Sequence, residues 1–222
     1  MSLVDLTWAV GRPTIGTAAT LATRLRVYGR ERVPLEGGVV IASNHFSWID
    51  PVVLGAASPR IVYYMAKIEA HRAPGLGAFI RAFGCFPVRR GESDRDAVRT
   101  MRRIVAEGNA LGLFVEGTRQ RSGVPGPVQP GAAMVAIQED VPIVPVVVHG
   151  SQTWTVGSRR PVSIAWGEPM TLDGLPKGGK GYKEASVLLQ AEIRRLWDWL
   201  VDLHRLGRPD GVPPGTPPAT GR

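Results

Sequence analysis

Cysteine occurs once, at Cys85, in a chain of 222 residues. That excludes an internal disulfide and fits a reducing compartment. Histidine is also scarce, with four residues. No second His or Cys lies at ligand spacing from His45, and one His with one Asp makes a poor metal site, so no metal and no bound cofactor is expected. Long apolar runs are missing too. The longest uncharged stretch near the N-terminus, residues 13–23, is rich in Thr and Gly, whereas a membrane-spanning helix needs about 20 apolar residues. The first residues lack a basic region and Asp5 interrupts their apolar stretch, so no signal peptide is expected. No internal repeat is visible.

Acidic residues are in deficit, 19 Asp and Glu against 27 Lys and Arg, for a net charge of +8. Such a charge attracts nucleic acid, anionic lipid or phosphorylated metabolites alike. Against nucleic acid, no helix-turn-helix, zinc or RNA-recognition signature is present, and the arginines are not interleaved with an aromatic platform. What is present in quantity is apolar side chain, 44% of residues, enough for a folded domain with its own core.

Short apolar runs occupy residues 39–42, 61–66, 85–88, 111–115, 143–148 and 162–166. Several lack strict alternation, as strands buried on both faces do. Helical periodicity falls between them, over residues 51–57, 93–107 and 132–139, with Ser93 as N-cap and Asp96 three residues on. The alternation predicts one layered α/β domain, residues 35–206, with a mostly parallel or mixed sheet flanked by helices. Residues 182–203 predict an amphipathic helix with Ala185, Leu188, Leu189, Ile193, Leu196, Trp197, Leu200 and Leu203 on one face. Within an N-terminal segment, residues 1–34, residues 3–27 predict one or two short helices broken at Arg12-Pro13, with Arg12, Arg24, Arg26, Arg30 and Arg32 around them. These fit either an interfacial helix pair on an anionic bilayer or ordinary helices packed on the core. Residues 207–222 are dominated by Gly and Pro and predict a disordered tail.

Two segments carry candidate chemistry. The first is Ser43-Asn44-His45-Phe46-Ser47-Trp48-Ile49-Asp50-Pro51, between a predicted strand and a predicted helix, where α/β sheets build sites. His45 and Asp50 are five apart, which on a continuous helix rotates them about 140° from each other. They meet only if the intervening residues turn, and Asp50 before Pro51 suits a helix start that leaves His45 in the loop. A carboxylate on one imidazole nitrogen fixes the tautomer and raises the basicity of the other, which makes a general base toward a hydroxyl. A loop histidine capped by a structural aspartate is the plainer alternative. The second segment is Phe114-Val115-Glu116-Gly117-Thr118-Arg119. There Gly117 allows a tight turn, Thr118 offers a hydroxyl and an amide, and Arg119 can grip a phosphate bidentately.

These segments occur in order with Gly84-Cys85-Phe86-Pro87-Val88-Arg89-Arg90 and Val141-Pro142-Ile143-Val144-Pro145-Val146. Together they resemble the four blocks of the PlsC-like glycerolipid acyltransferases, whose best-known members make phosphatidate from lysophosphatidate. Met65-Ala66-Lys67-Ile68-Glu69 is similar to a further family segment. The resemblance covers roughly residues 35–170. It implies that His45 deprotonates the acceptor hydroxyl and Asp50 orients it. The hydroxyl then attacks the thioester of acyl-CoA or acyl-carrier protein, the co-substrate, with no acyl-enzyme. It also implies that Lys67, Arg90, Glu116, Gly117, Thr118 and Arg119 bind substrate, with Arg119 and Lys67 near the acceptor phosphate. The acceptor would be a lysophospholipid, met peripherally at an anionic membrane surface on its cytoplasmic face. Two departures stand out. Val115 replaces a usual proline, and residues 128–131 replace a segment that usually carries phenylalanine and lysine, which removes an anion contact and opens the question of head group. The alternatives are an acyltransferase for another lysolipid or glycolipid, or a catalytically silent lipid-binding protein of the same fold.

Other side chains take blander expectations. His149 is structural, His71 and His204 are solvated, and Cys85 is packed. Arg95, Arg99, Arg102 and Arg103 line the solvent face of a helix. Trp154, Trp166, Trp197 and Trp199 fit a core or a membrane interface equally.

Overall fold

The computed structural model describes residues 2–89 and 94–215. Seven strands form one sheet: β1 (Arg26–Tyr28), β2 (Val39–Ser43), β3 (Val62–Lys67), β4 (Phe86–Val88), β5 (Ala110–Phe114), β6 (Ile143–His149) and β7 (Ser163–Trp166), in the order β1-β7-β6-β2-β5-β3-β4. From β6 to β4 every pairing is parallel; β7 runs antiparallel to β6, and β1 runs parallel to β7. The sheet is therefore mixed, and its five co-directional strands end along one edge.

The helices are α1 (Leu3–Gly11), α2 (Thr17–Thr23), α3 (Asp50–Ala57), α4 (Ile68–Arg72), α5 (Leu76–Ala82), α6 (Arg95–Ala106), α7 (Gly131–Glu139) and α8 (Gly179–Arg205). The central strands β2 and β6 are buried on both faces, which is why they read as unbroken apolar runs. One face packs Val40, Leu111, Val147 and Ala165 against Met101 and Ile104 of α6, Val135 of α7 and Ile193, Leu196 and Leu200 of α8. The other packs Ile41, Val144 and Ile164 against Val53 and Leu54 of α3. Outside α3 lie α1 and α2, where the Trp8 ring closes on Gly55 of α3.

Several expectations change. Arg12-Pro13 does not break the N-terminal helix: a π-helical turn, Arg12–Gly16, carries the chain from α1 into α2. A proline lacks an N–H, and the wider turn accommodates the displaced bond. Residues 26–28, expected within a separate N-terminal segment, form the edge strand β1 instead. Residues 207–215, expected as part of a disordered tail, strap across that edge. The Tyr28 hydroxyl donates to Pro209 O at 3.2 Å, and Arg32 donates to the carbonyls of Pro213 and Pro214. Those backbone carbonyls, uncommitted to any ladder, are what composition overlooked. Residues 216–222 lie outside the described residues. So does Ser93; helix α6 is capped by Asp94, whose side chain accepts from Ala97 N at 3.0 Å. Leu188 turns to solvent, while the rest of the predicted face of α8 is buried. His204 is not solvated; its Nε2 lies 2.7 Å from Ser163 Oγ, and His71 Nε2 is also buried. Trp154, Trp166 and Trp197 are core residues and Trp199 is partly buried. Among the described residues no helix is long and apolar enough to cross a membrane.

Candidate active site

Parallel α/β sheets place sites beyond the carboxyl ends of their strands, and here four motif segments converge on that edge. Strand β2 leads into Asn44 and His45, β5 into Glu116, β3 ends at Lys67 and β4 leads to Arg89. The register Ser43↔Phe114 sets the loops after β2 and β5 side by side.

Asn44 fixes the start of the first loop. Its Nδ2 donates to Val148 O at 3.0 Å and its Oδ1 accepts from Val148 N at 2.8 Å. The side chain so imitates a backbone pairing and prolongs the β2–β6 contact past Ser43↔Val146. From there the chain turns back on itself. Asp50, wholly buried at the start of α3, accepts with Oδ2 from Phe46 N and Ser47 N, each at 2.7 Å. The same oxygen lies 2.8 Å from His45 Nδ1. A carboxylate there places the proton on Nδ1 and leaves Nε2 with its lone pair. Among the described residues no group hydrogen-bonds Nε2. The structure therefore brings His45 and Asp50 together by the turn that their spacing requires.

Glu116 braces the two loops. Its Oε2 accepts from His45 N at 2.7 Å and its Oε1 from Gly126 N at 2.8 Å. Burial pushes its carboxyl up to about 7, against the pull of both amides. Gln120 N donates to His45 O at 2.8 Å. Gly117 takes a positive φ of 72°, the turn its lack of a Cβ allows. Beyond it, Thr118 and Arg119 are exposed, as are Lys67 and Arg89. Arg90 lies outside the described residues. Among the described residues neither Lys67 nor Arg119 is in a salt bridge, and no group of three or more His, Cys, Asp or Glu is placed to hold a metal.

Three features escaped the sequence. The His45 imidazole lies flat on Phe114, centroids 3.8 Å apart, and Phe114 in turn stacks near-parallel to Tyr64 at 5.8 Å. Phe46 meets Trp197 edge-on behind the loop. Trp48, 54% exposed, stands beside Trp154. The first depends on strand register and the second on how α8 packs behind the loop; only the aromatic residues flanking His45 and Glu116 hinted at them.

A family model described as Acyltransferase matches residues 24–149. The 1-acyl-sn-glycerol-3-phosphate acyltransferase of Bacillus subtilis is 31% identical over 148 residues, 66% of this chain and 73% of that protein. The enzyme of the same name from Streptococcus pneumoniae is 27% identical over 175 residues, 77% of this chain and 65% of that protein. Shorter matches reach 44% and 54% of the relatives from Mycoplasma genitalium and Borreliella burgdorferi. The crystal structure of the 1-acyl-sn-glycerophosphate acyltransferase PlsC from Thermotoga maritima superimposes with a TM-score of 0.69 at 21% identity, over 87% of this chain and 81% of that one, a likeness of fold. With the paired His45 and Asp50 and the Glu116–Arg119 turn inside or beside the matched region, the chain belongs to the acyltransferase family, as a PlsC-like member.

Proposed function

We propose that this enzyme transfers a fatty acyl group from acyl-CoA or acyl-carrier protein to the free hydroxyl of lysophosphatidate, giving phosphatidate. The observation that carries the reading is the His45–Asp50 pair at 2.8 Å, at the sheet edge that also bears Lys67 and Arg119. In this mechanism His45 Nε2 takes the acceptor's hydroxyl proton as the oxygen attacks the thioester carbonyl. The new C–O bond forms, the C–S bond breaks, and the leaving thiolate recovers the proton from His45. General-base assistance of this kind contributes about 10²- to 10⁴-fold in rate. Asp50 holds the tautomer and stabilises the imidazolium. Lys67 and Arg119 bind the acceptor phosphate and Arg90 helps hold the acceptor or the donor, with Gly117 and Thr118 shaping the turn that presents Arg119. Glu116 acts on the substrate through the loops it braces. The reaction as proposed draws on no metal or prosthetic group.

A lipid acceptor implies work at a bilayer. Leu3, Leu6 and Val10 of α1 and Leu76 and Phe79 of α5 are exposed, and α1 and α5 are joined through Trp8 and Phe83. Exposed apolar side chains on two joined helices suit peripheral attachment on the anionic cytoplasmic face of a membrane. Co-sedimentation with anionic vesicles should fall several-fold in Leu6→Asp and Phe79→Asp; unchanged binding would remove this face from the docking surface.

The decisive assay mixes the protein with lysophosphatidate and labelled acyl-CoA or acyl-carrier protein in anionic vesicles, beside His45→Ala. Labelled phosphatidate that vanishes in the variant supports the reading. Product from a different lysolipid alone changes the acceptor. Silence across donors and acceptors overturns catalysis in favour of a lipid-binding protein of this fold.

A further inference from the structure

Two buried polar atoms, one in the His45–Asp50 pair and one on the strand beside it, have no hydrogen-bond partner among the described residues. Asp50 Oδ1 is one and the Tyr64 hydroxyl is the other. Buried polar groups are nearly always satisfied, by protein or by ordered water, because leaving them bare is costly. Tyr64 shares one buried cluster with Ile49, Val53 and Leu54, the residues that flank Asp50. Tyr64 lies under Phe114, which lies under His45. Gly112 of β5 makes room for the Tyr64 ring: a Cβ there would lie 2.3 Å from it. Burial, then the Cys85 thiol and the Asp50 carboxylate, hold the Tyr64 phenol far above its usual range, so it remains an O–H donor.

We propose that the Tyr64 hydroxyl donates to Asp50 Oδ1 through a buried water, which makes Tyr64 a positioning residue of the pair. Asp50 Oδ2 already takes His45, Phe46 and Ser47, and a donor at Oδ1 fixes the carboxylate's second oxygen. It also draws off part of the negative charge that His45 meets. Taking it away lets the carboxylate pull harder on the imidazolium. The inference rests on the reading of His45 as a base held by Asp50, and its test does not require turnover.

The test is Tyr64→Phe, which keeps the ring in the stack and deletes only the hydroxyl. The titration of His45 is followed by NMR in wild type and variant, with His45→Ala assigning the signal. The other titrating groups around it, Asp50 at the start of α3, Glu116 after β5 and Cys85 before β4, are the same in both proteins. The expected result is a His45 midpoint raised by about half a pH unit, as loss of a donor to its counter-charge requires. If phosphatidate formation is measured, kcat should fall roughly tenfold with KM for the acceptor little changed. An unmoved His45 titration overturns the proposal, whatever turnover does. Should Tyr64→Phe not fold, a high-resolution crystal structure of the wild type decides. Ordered density within hydrogen-bond distance of both Asp50 Oδ1 and the Tyr64 hydroxyl supports the bridge; its absence overturns it. Failure of the wild type to acylate any lysolipid would count against the proposed function and leave this titration result standing.

Discussion

One oxygen of Asp50 takes two backbone amides and the His45 ring, so its charge serves the loop's shape as well as the base. Asp50→Asn keeps the volume but presents an amide N–H where an acceptor is needed, and it disfavours the tautomer with a free Nε2. We expect kcat to fall by about 10²- to 10⁴-fold and thermal unfolding to shift downward, read by single-turnover assay and melting curves. Glu116 is one source of pH-dependent stability, beside His149 and His204, which burial pushes the other way. Its carboxyl sits near 7 in the folded chain against an ordinary 4.5. Its contribution to stability is thus fully present below the lower value and is lost as pH rises through the upper one. Glu116→Gln should be less stable overall, since one of its two backbone donors then faces another donor. Relative to the wild type, its melting temperature should rise with pH between about 4.5 and 7, as the Glu116 contribution disappears. An equal slope in both proteins would sink this. The His45–Asp50 pair was legible because five-residue spacing and Pro51 together demand a turn. The Glu116 brace and the Phe114 stack were not, because both depend on Ser43 lying opposite Phe114, a register that local patterning does not encode.

At the level of elements, Gly112 is the tightest point near the site. Any Cβ there meets the Tyr64 ring at 2.3 Å, and displacing that ring moves Phe114 and then His45. Gly112→Ala should cost about 1–3 kcal/mol from overpacking and lose activity beyond what its lowered melting temperature explains. Full activity in the folded variant would show the stack to be passive. Six of the strands were readable as apolar runs; in β2, β5 and β6 burial on both faces suppresses polar residues. Strand β1 was not: it has three residues at the sheet edge, only Tyr28 of them buried. Helices α4 and α5 were missed for a similar reason, having five and seven residues, too few for a periodicity to declare itself. Charge and proline in the N-terminal stretch suggested a break; the π-helical turn shows that the backbone can absorb Pro13 without ending the helix.

Across the whole molecule, the strap of residues 207–215 closes the sheet's exposed edge. It receives bonds from Tyr28, Arg32 and Arg195 and returns one from Arg208 to Arg24 O at 2.8 Å. Ending the chain after Leu206 removes these and should cost about 2–4 kcal/mol, seen as a lower melting temperature. Because β7 and β6 stand between that edge and β2, turnover per folded molecule should be preserved. A truncation that melts like the full chain would show the strap to be ornamental. A mixed sheet was within the sequence expectation, but which strands reverse was not, since direction follows from connections rather than from composition. The reversal has a temporal consequence. Arg26 pairs with Ser163 and Tyr28 with Ala165, so the first strand to leave the ribosome must wait for the last one made. At typical synthesis rates that wait is on the order of ten seconds. Throughout it α1 and α2 have emerged with their apolar side chains and no finished sheet to rest on. Those side chains are then exposed longest before they can be buried, and this interval is when the growing chain is most open to aggregation or to a chaperone.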